Sequence, residues 1–380
     1  MQRSLKTPIS NRDLTGTAAR LADRLLRPRR QPELPDDDQV RNIVVIKPCC
    51  LGDMLMATPV LRALSIRYPE ASITVVTGSW TQPAVETSPR IDQVIRYPET
   101  SAFRTALQLG WQLRSFSFDI GISLDRSPVP ALALRLAGTP IRAGIDSHSR
   151  GIGLTHRVEP QPDQHETDLY LSVLNSAHFE HLSQYPEYHV PDDALHRISE
   201  LAPIGRDRKL VVIHPGGAVN PGVAMLEKRW PATNFGELVS LIGEEANATI
   251  VLVGAESDRN AIDTVREFAR YPVIDLGGRL SFTELAALCH HASLYVGNDS
   301  GATHLASAVG APVVAIFGPT SPRRYRPLGR RTRVCAPEES WSLSDPGDLR
   351  TSDRVRLPDI AAVPLPTVLN SCLEMLNGGR

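Results

Sequence analysis

The sequence predicts an α/β protein made of two Rossmann-like domains that face a central cleft. Three observations carry that expectation. The chain has 380 residues, more than one ordinary core supports and well suited to two domains of similar size. A strand–turn–helix rhythm opens near residue 42, runs to about 145 and restarts at 210, as expected for parallel sheets covered by helices. Between the two runs, residues 150–209 are rich in Pro, His and Asp and hold only short helical patterns, so they read as the connection.

Taken in order, residues 1–40 form a basic arm. Leu14, Ala18, Leu21, Leu25 and Leu26 have helical spacing, and Arg20, Arg24, Arg27, Arg29 and Arg30 accompany them. Such a segment suits either an anionic membrane surface or a packing arm. The first domain, 41–190, opens on the buried strand Asn42–Lys47, followed by a helix over 54–67 and strands Ser72–Thr77 and Gln93–Arg96. A helix over 103–115, the strand Phe118–Leu124, a helix over 129–137 and the strand Ile141–Ile145 complete it. Residues 191–209 are expected to be a linker, and 210–380 the second domain. There the strands are Leu210–His214, Thr249–Val253, Val273–Leu276, Ser293–Val296 and Val313–Phe317, with helices over 233–245, 257–270, 281–292 and 301–309. Ser281 and Glu284 make a capping box that fixes one helix start. A final helix, Pro366–Leu376, is expected to pack back on the first domain.

Composition excludes several classes. A net charge of −1 gives no global attraction to nucleic acid. Five cysteines, Cys49, Cys50, Cys289, Cys335 and Cys372, have no zinc-type spacing and point to a reducing, cytoplasmic compartment. No apolar run approaches the roughly 20 residues that span a bilayer, and no signal-peptide core opens the chain. Asp36 and Asp38 mimic a metal-binding DxD but sit in a polar charge run, which reads as solvated. No metal and no cofactor are expected.

Open α/β sheets bind ligands at the carboxyl ends of their strands, so the loops there carry the chemistry. The first is Pro48-Cys49-Cys50-Leu51-Gly52-Asp53, which has neither GxGxxG nor a P-loop. Asp53 there serves either as a helix cap or as a base that takes a proton from an attacking hydroxyl. The second is His214-Pro215-Gly216-Gly217, whose Gly216 and Gly217 make a tight turn or a phosphate loop. Lys228, in Lys228-Arg229-Trp230-Pro231, is a cation able to neutralise a diphosphate without a metal. The third loop, Gly297-Asn298-Asp299-Ser300-Gly301-Ala302-Thr303-His304, opens a helix whose amides suit an anion. Asp299 or Ser300 suits its cap. Phe317-Gly318-Pro319-Thr320 adds hydroxyl and turn chemistry beside it. Loops of this kind gathered on one edge point to a nucleotide diphosphate, with chemistry reaching across to Asp53.

Leu51-Gly52-Asp53, Lys228-Arg229-Trp230-Pro231, Asp299-Ser300-Gly301-Ala302-Thr303-His304 and Phe317-Gly318-Pro319-Thr320, in that order, resemble glycosyltransferase family 9. The similarity covers about 42 to 330. It implies a GT-B fold and an inverting, metal-independent transfer from an ADP-sugar, typically ADP-heptose, to a glycan or glycolipid acceptor. It also implies Asp53 as general base, Lys228 on the donor phosphates, Asp299, Ser300, Gly301 and His304 in the donor pocket, and Glu256 on the ribose. Cys49 and Cys50 replace the small or hydroxyl residues usual before the Gly-Asp, so with Gly52 they are acceptor-side candidates. An anionic acceptor would call on Arg126, Arg142 and Arg150. Two other functions fit the scaffold: an epimerase or hydrolase of nucleotide sugars, which consumes donor without acceptor, and a non-catalytic nucleotide-sugar-binding protein.

Overall fold

The computed structural model describes residues 31–147, 150–177, 183–201, 208–220, 223–343 and 357–378. The helical pattern of the basic arm therefore lies outside the described residues. Asp36, Asp37 and Asp38 are exposed, and Asp37 pairs with Arg67 at 3.1 Å, as a solvated charge run should.

Two six-stranded sheets share one topology. In the first half the elements are β1 (Asn42–Ile46), α1 (Leu51–Met56), α2 (Thr58–Arg67), β2 (Ser72–Thr77), β3 (Gln93–Arg96), α3 (Ala102–Arg114), β4 (Ile120–Ser123), α4 (Pro128–Ala137), β5 (Ile141–Ile145), β6 (His156–Val158) and α5 (Glu166–Asn175). The second half runs α6 (Asp192–Leu201), β7 (Leu210–His214), the small hairpin β8 (Val219–Asn220) and β9 (Val223–Ala224), α7 (Ala232–Ala246), β10 (Thr249–Leu252), α8 (Arg259–Phe268) and β11 (Val273–Asp275). It continues with α9 (Phe282–His290), β12 (Leu294–Asn298), α10 (Gly301–Ala308), β13 (Val313–Ile316), α11 (Pro322–Tyr325), β14 (Thr332–Cys335) and α12 (Leu365–Asn377). Strand order is β3-β2-β1-β4-β5-β6 in one sheet and β11-β10-β7-β12-β13-β14 in the other, all pairs parallel. Runs such as Ile43–Ile46 and Leu210–His214 are buried throughout because helices cover both faces.

Each sheet reverses its winding once, between β1 and β4 and between β7 and β12. Crevices form where the order reverses, beyond the carboxyl ends of the strands. The loops after β1 and β4 flank one crevice; those after β7 and β12 flank the other.

Two expectations need correction. Residues 191–209 are not a bare linker: α6 packs on α9 and buries Ala194 and Ile198 in the core of the second sheet. Its four-residue spacing of apolar side chains needed a helix face to cover. The final helix does not return to the first domain but lies on α7 and the second sheet. Val368, Cys372 and Met375 enter the same core as Trp230 and Phe235. An amphipathic pattern states that a helix has a partner, not which one.

The halves meet through packed side chains rather than a loose hinge. Leu305 of α10 and Ala286 of α9 are buried in the core cluster of the first sheet. Where α1 crosses α10, a Cβ on Gly52 would stand 2.8 Å from the His304 ring, and one on Gly301 would stand 2.9 Å from Leu51 Cβ. Glycine at both positions lets the two backbones approach this closely.

Candidate active site

At the first crevice, β1 delivers Lys47 and then a sharp turn into α1. Cys50 holds the N-cap position with φ 73°, a left-handed backbone that non-glycine residues rarely adopt and that clusters at functional loops. Asp53 is the third residue of α1 and makes no cap bond, so capping does not account for it. Its Oδ2 accepts from Lys47 Nζ at 3.2 Å, with the lysine nearly buried and the carboxylate side chain 30% exposed. Burial pushes the Asp53 carboxyl above its ordinary value, Lys47 pulls it back, and the charge of Glu166 adds to the rise. Burial works against the charge of Lys47, but Asp53 and Asp125 outweigh it and hold the ammonium above its usual range. The result is a carboxylate of raised basicity, anchored by one cation and still open to solvent.

Arg126, in the loop after β4, donates from Nη2 to Glu166 Oε1 at 2.6 Å, and Arg324 of α11 donates to the same oxygen at 2.9 Å. Glu166 and Arg324 are both buried, so this ion pair locks one half to the other. Beside it His165 spans the same seam. Its Nδ1 accepts from the Thr167 amide at 3.1 Å, and Nε2 lies 2.9 Å from the carbonyl of Arg326. That pattern requires the neutral tautomer with hydrogen on Nε2. Burial agrees, pushing the ring down to about 4.

The second crevice is organised by buried polar hubs. Asn298, the last residue of β12, accepts from the Trp230 amide and donates to the carbonyls of Pro215 and Gly216, each at 3.0 Å. Asp258 accepts from the amides of Gly217 and Ala255, from Arg229 at 2.7 Å and from His214 at 3.2 Å. Burial opposes its charge, but these donors win and press it down to about 2. A Cβ on Gly216 would overlap the Asp258 carboxylate, and Gly217, at φ +88, lies against Ser300. The glycine turn is thus shaped by Asp258 and delivered to the start of α10.

Asp299 Oδ2 accepts from Lys228 Nζ and from Thr320 Oγ1, both at 2.7 Å. Burial resists ionisation of Asp299, and Lys228 overcomes it, holding the carboxyl below its ordinary value. Ser300 occupies the N-cap position of α10 without a side-chain cap bond; its hydroxyl lies 3.3 Å from that of Thr303. Neither expected cap therefore closes the helix start, whose first amides have no intrahelical acceptors. His304 is buried and held neutral at about 4, and its Nδ1 has no hydrogen-bond partner.

The structure thus brings together Asp53, Gly52, His304, Ser300, Gly301, Gly216, Gly217, Asp299 and Lys228. Arg126 stands on the same strand-end rim as Asp53, and Arg150 follows β5, half-buried. Glu256 is exposed after β10, its Oε2 2.6 Å from where a Cβ on Gly278 would stand. Cys49 is exposed and Cys50 half-buried, both free thiols; the adjoining Cys50 and the charge of Lys47 bring Cys49 down to about 7. Arg142 is not at the cleft. It sits at the entering end of β5, and its guanidinium is spent on the carbonyls of Gly153, Thr139 and Pro140. Nearness to a strand end in sequence does not say which end, and only the carboxyl end faces the cleft.

Sequence reasoning missed Lys47, Glu166, Asp258, Arg324 and the hub role of Asn298. Lys47 alone carried a signal, as a lysine closing the apolar run Ile43–Ile46 six residues before Asp53.

The chain belongs to glycosyltransferase family 9 (heptosyltransferase), whose family model matches residues 106–345. It is a glycosyltransferase with the two-domain α/β fold of the GT-B type. Lipopolysaccharide heptosyltransferase 2 of Escherichia coli (strain K12) is 27% identical to it over 350 residues, covering 87% of this chain and 98% of that protein. Lipopolysaccharide heptosyltransferase 3 of Escherichia coli is 28% identical over 291 residues, covering 73% and 83%. Among solved structures, a family 9 glycosyl transferase from Veillonella parvula DSM 2008 superposes with a TM-score of 0.73 at 22% identity, over 89% of this chain and 98% of that one. The E. coli ADP-heptose lps heptosyltransferase II gives a TM-score of 0.68 at 23% identity, over 88% and 98%. These likenesses confirm the fold expected from the sequence.

Proposed function

We propose that this protein transfers a heptose from ADP-heptose to a hydroxyl of a lipopolysaccharide-core glycan on the cytoplasmic side of the membrane, with inversion and without a metal. The observation that carries the reading is the contact of Gly52 with His304, which sets the Asp53 loop directly against the open start of α10. Family membership and the names of the relatives support the donor and the acceptor class.

In this mechanism the diphosphate lies at the start of α10. The first amides of the helix, the Gly216-Gly217 turn and Lys228 offset its charge as ADP leaves. The unpartnered His304 Nδ1 is a buried polar atom that a donor group satisfies. Asp299 holds Lys228 in place rather than competing for the phosphate, and Glu256 lies at the rim where a ribose projects. From the opposite side the acceptor hydroxyl gives its proton to Asp53 while its oxygen attacks the anomeric carbon. Arg126 and Arg150 serve an anionic acceptor. The basic arm adds peripheral contact with the membrane.

Nucleotide selectivity tests the donor assignment. At a hundred times Kd a ligand stabilises by about 2.7 kcal/mol, so ADP and ADP-heptose should raise the melting temperature while UDP and GDP leave it nearly unchanged. Lys228→Ala should lose most of the ADP shift. A preference for UDP or GDP would overturn the heptosyl reading.

A further inference from the structure

The observation outside the site is the outer face of α3. Phe103, Leu107 and Trp111 are 69%, 40% and 80% exposed, although soluble helices normally turn such side chains inward. They recur every four residues, so they form one stripe along the helix. The inward face already has its partners: Ala106, Leu109, Gly110 and Leu113 are buried against the sheet and α4. Packing within the domain therefore does not explain the stripe. Leu136 of α4, 39% exposed, extends it where the two helices cross at Gly110.

Along the helix itself the charges are basic, and the exposed Glu99, paired with Arg96, lies just before its start. Arg104 and Arg114 flank the stripe, both exposed, and no Asp or Glu occurs from residue 100 to residue 118. Large apolar side chains between arginines, with tryptophan among them, are what an interfacial helix presents to anionic lipid headgroups. The alternative occupants fit less well. A second copy of the same face would set Arg104 and Arg114 against like charges. The N-terminal arm, with its own arginines, shares the charge of the stripe.

We propose that α3 docks this protein on an anionic lipid surface, with Phe103, Leu107 and Trp111 inserted among the acyl chains and Arg104 and Arg114 on the headgroups. The placement suits a lipid-borne acceptor. α3 follows β3, so its start lies at the strand-end rim that also carries Asp53. Ser79 ties the loop bearing the half-exposed Trp80 to Glu99, just before α3, at 3.1 Å. The docking rests on the α3 face and not on the identity of the sugar.

The test uses the full chain with vesicles of phosphatidylcholine, with and without phosphatidylglycerol, and reads co-sedimentation and tryptophan emission. Binding should require phosphatidylglycerol and weaken as salt is raised. F103S/L107Q/W111Q should reduce it at least tenfold, and R104E/R114E by a comparable factor. The ADP-induced melting shift should survive in both variants, which shows that they are folded. Vesicle binding in both variants as tight as in the unaltered protein would overturn the proposal and leave the membrane contact to the N-terminal arm alone. Concentration-dependent dimerisation that the triple variant abolishes, without lipid binding, would replace the membrane with a second copy.

Discussion

Asp53→Ala should lower kcat about a thousandfold while ADP-heptose binds as before, because general-base catalysis contributes factors of roughly 10² to 10⁴. The geometry makes the separation clean. Asp53 is bonded to Lys47, in its own half, whereas Lys228, Asp299 and Ser300 sit on the other. Asp53→Asn keeps the shape, loses the base and should be nearly as slow. Initial rates beside calorimetric donor affinity check both. The pH profile carries a second signature. Burial raises the Asp53 carboxyl, so the acid limb of kcat should lie above an ordinary carboxylate and activity should rise with pH through it. Lys47 opposes that rise, so Lys47→Met should move the limb to still higher pH. Near-normal turnover in Asp53→Asn removes the assigned role.

Glu166→Ala should be among the most destabilising single changes in the molecule, by about 3 to 5 kcal/mol, the usual cost of removing one partner of a buried ion pair. Its carboxylate receives both Arg126 and Arg324, and the loss leaves the nearly buried Arg324 without that carboxylate. Because Arg324 belongs to the second half, the damage falls on the seam and should reach activity as well as stability. Arg126→Ala is the control. Its side chain is 31% exposed, and its removal should cost about 1 kcal/mol or less. Denaturant titration of the three proteins decides the matter. Equal effects from the two substitutions would mean that the seam is not held by this pair.

Much of the fold was legible in the sequence because apolar runs and turn residues are local signals. NIVVI and LVVIH announce buried parallel strands, and Ser281 with Glu284 fixes a helix start to the residue. Asp53, Asp299, Ser300, Thr303 and His304 were legible as polar residues in the connections and first helical turns that follow such strands. What escaped depends on distant parts of the chain. Asp258 looks like an ordinary acidic residue at a helix start until His214, Gly217 and Arg229 converge on it. Glu166 and Arg324, 158 residues apart, mean nothing until the halves dock. The Arg142 and α12 errors share a cause, since local pattern gives an element's presence but not its neighbours.

In the proposed mechanism, acceptor activated at Asp53 attacks a donor held at the start of α10, with no intermediate on the protein. The most direct measurement follows ADP release from ADP-heptose with and without a heptose-deficient lipopolysaccharide core, and reads the product's anomeric configuration by NMR. ADP should be released only with acceptor present, with inversion at the anomeric carbon. Release without acceptor, or a retained configuration, would contradict that mechanism.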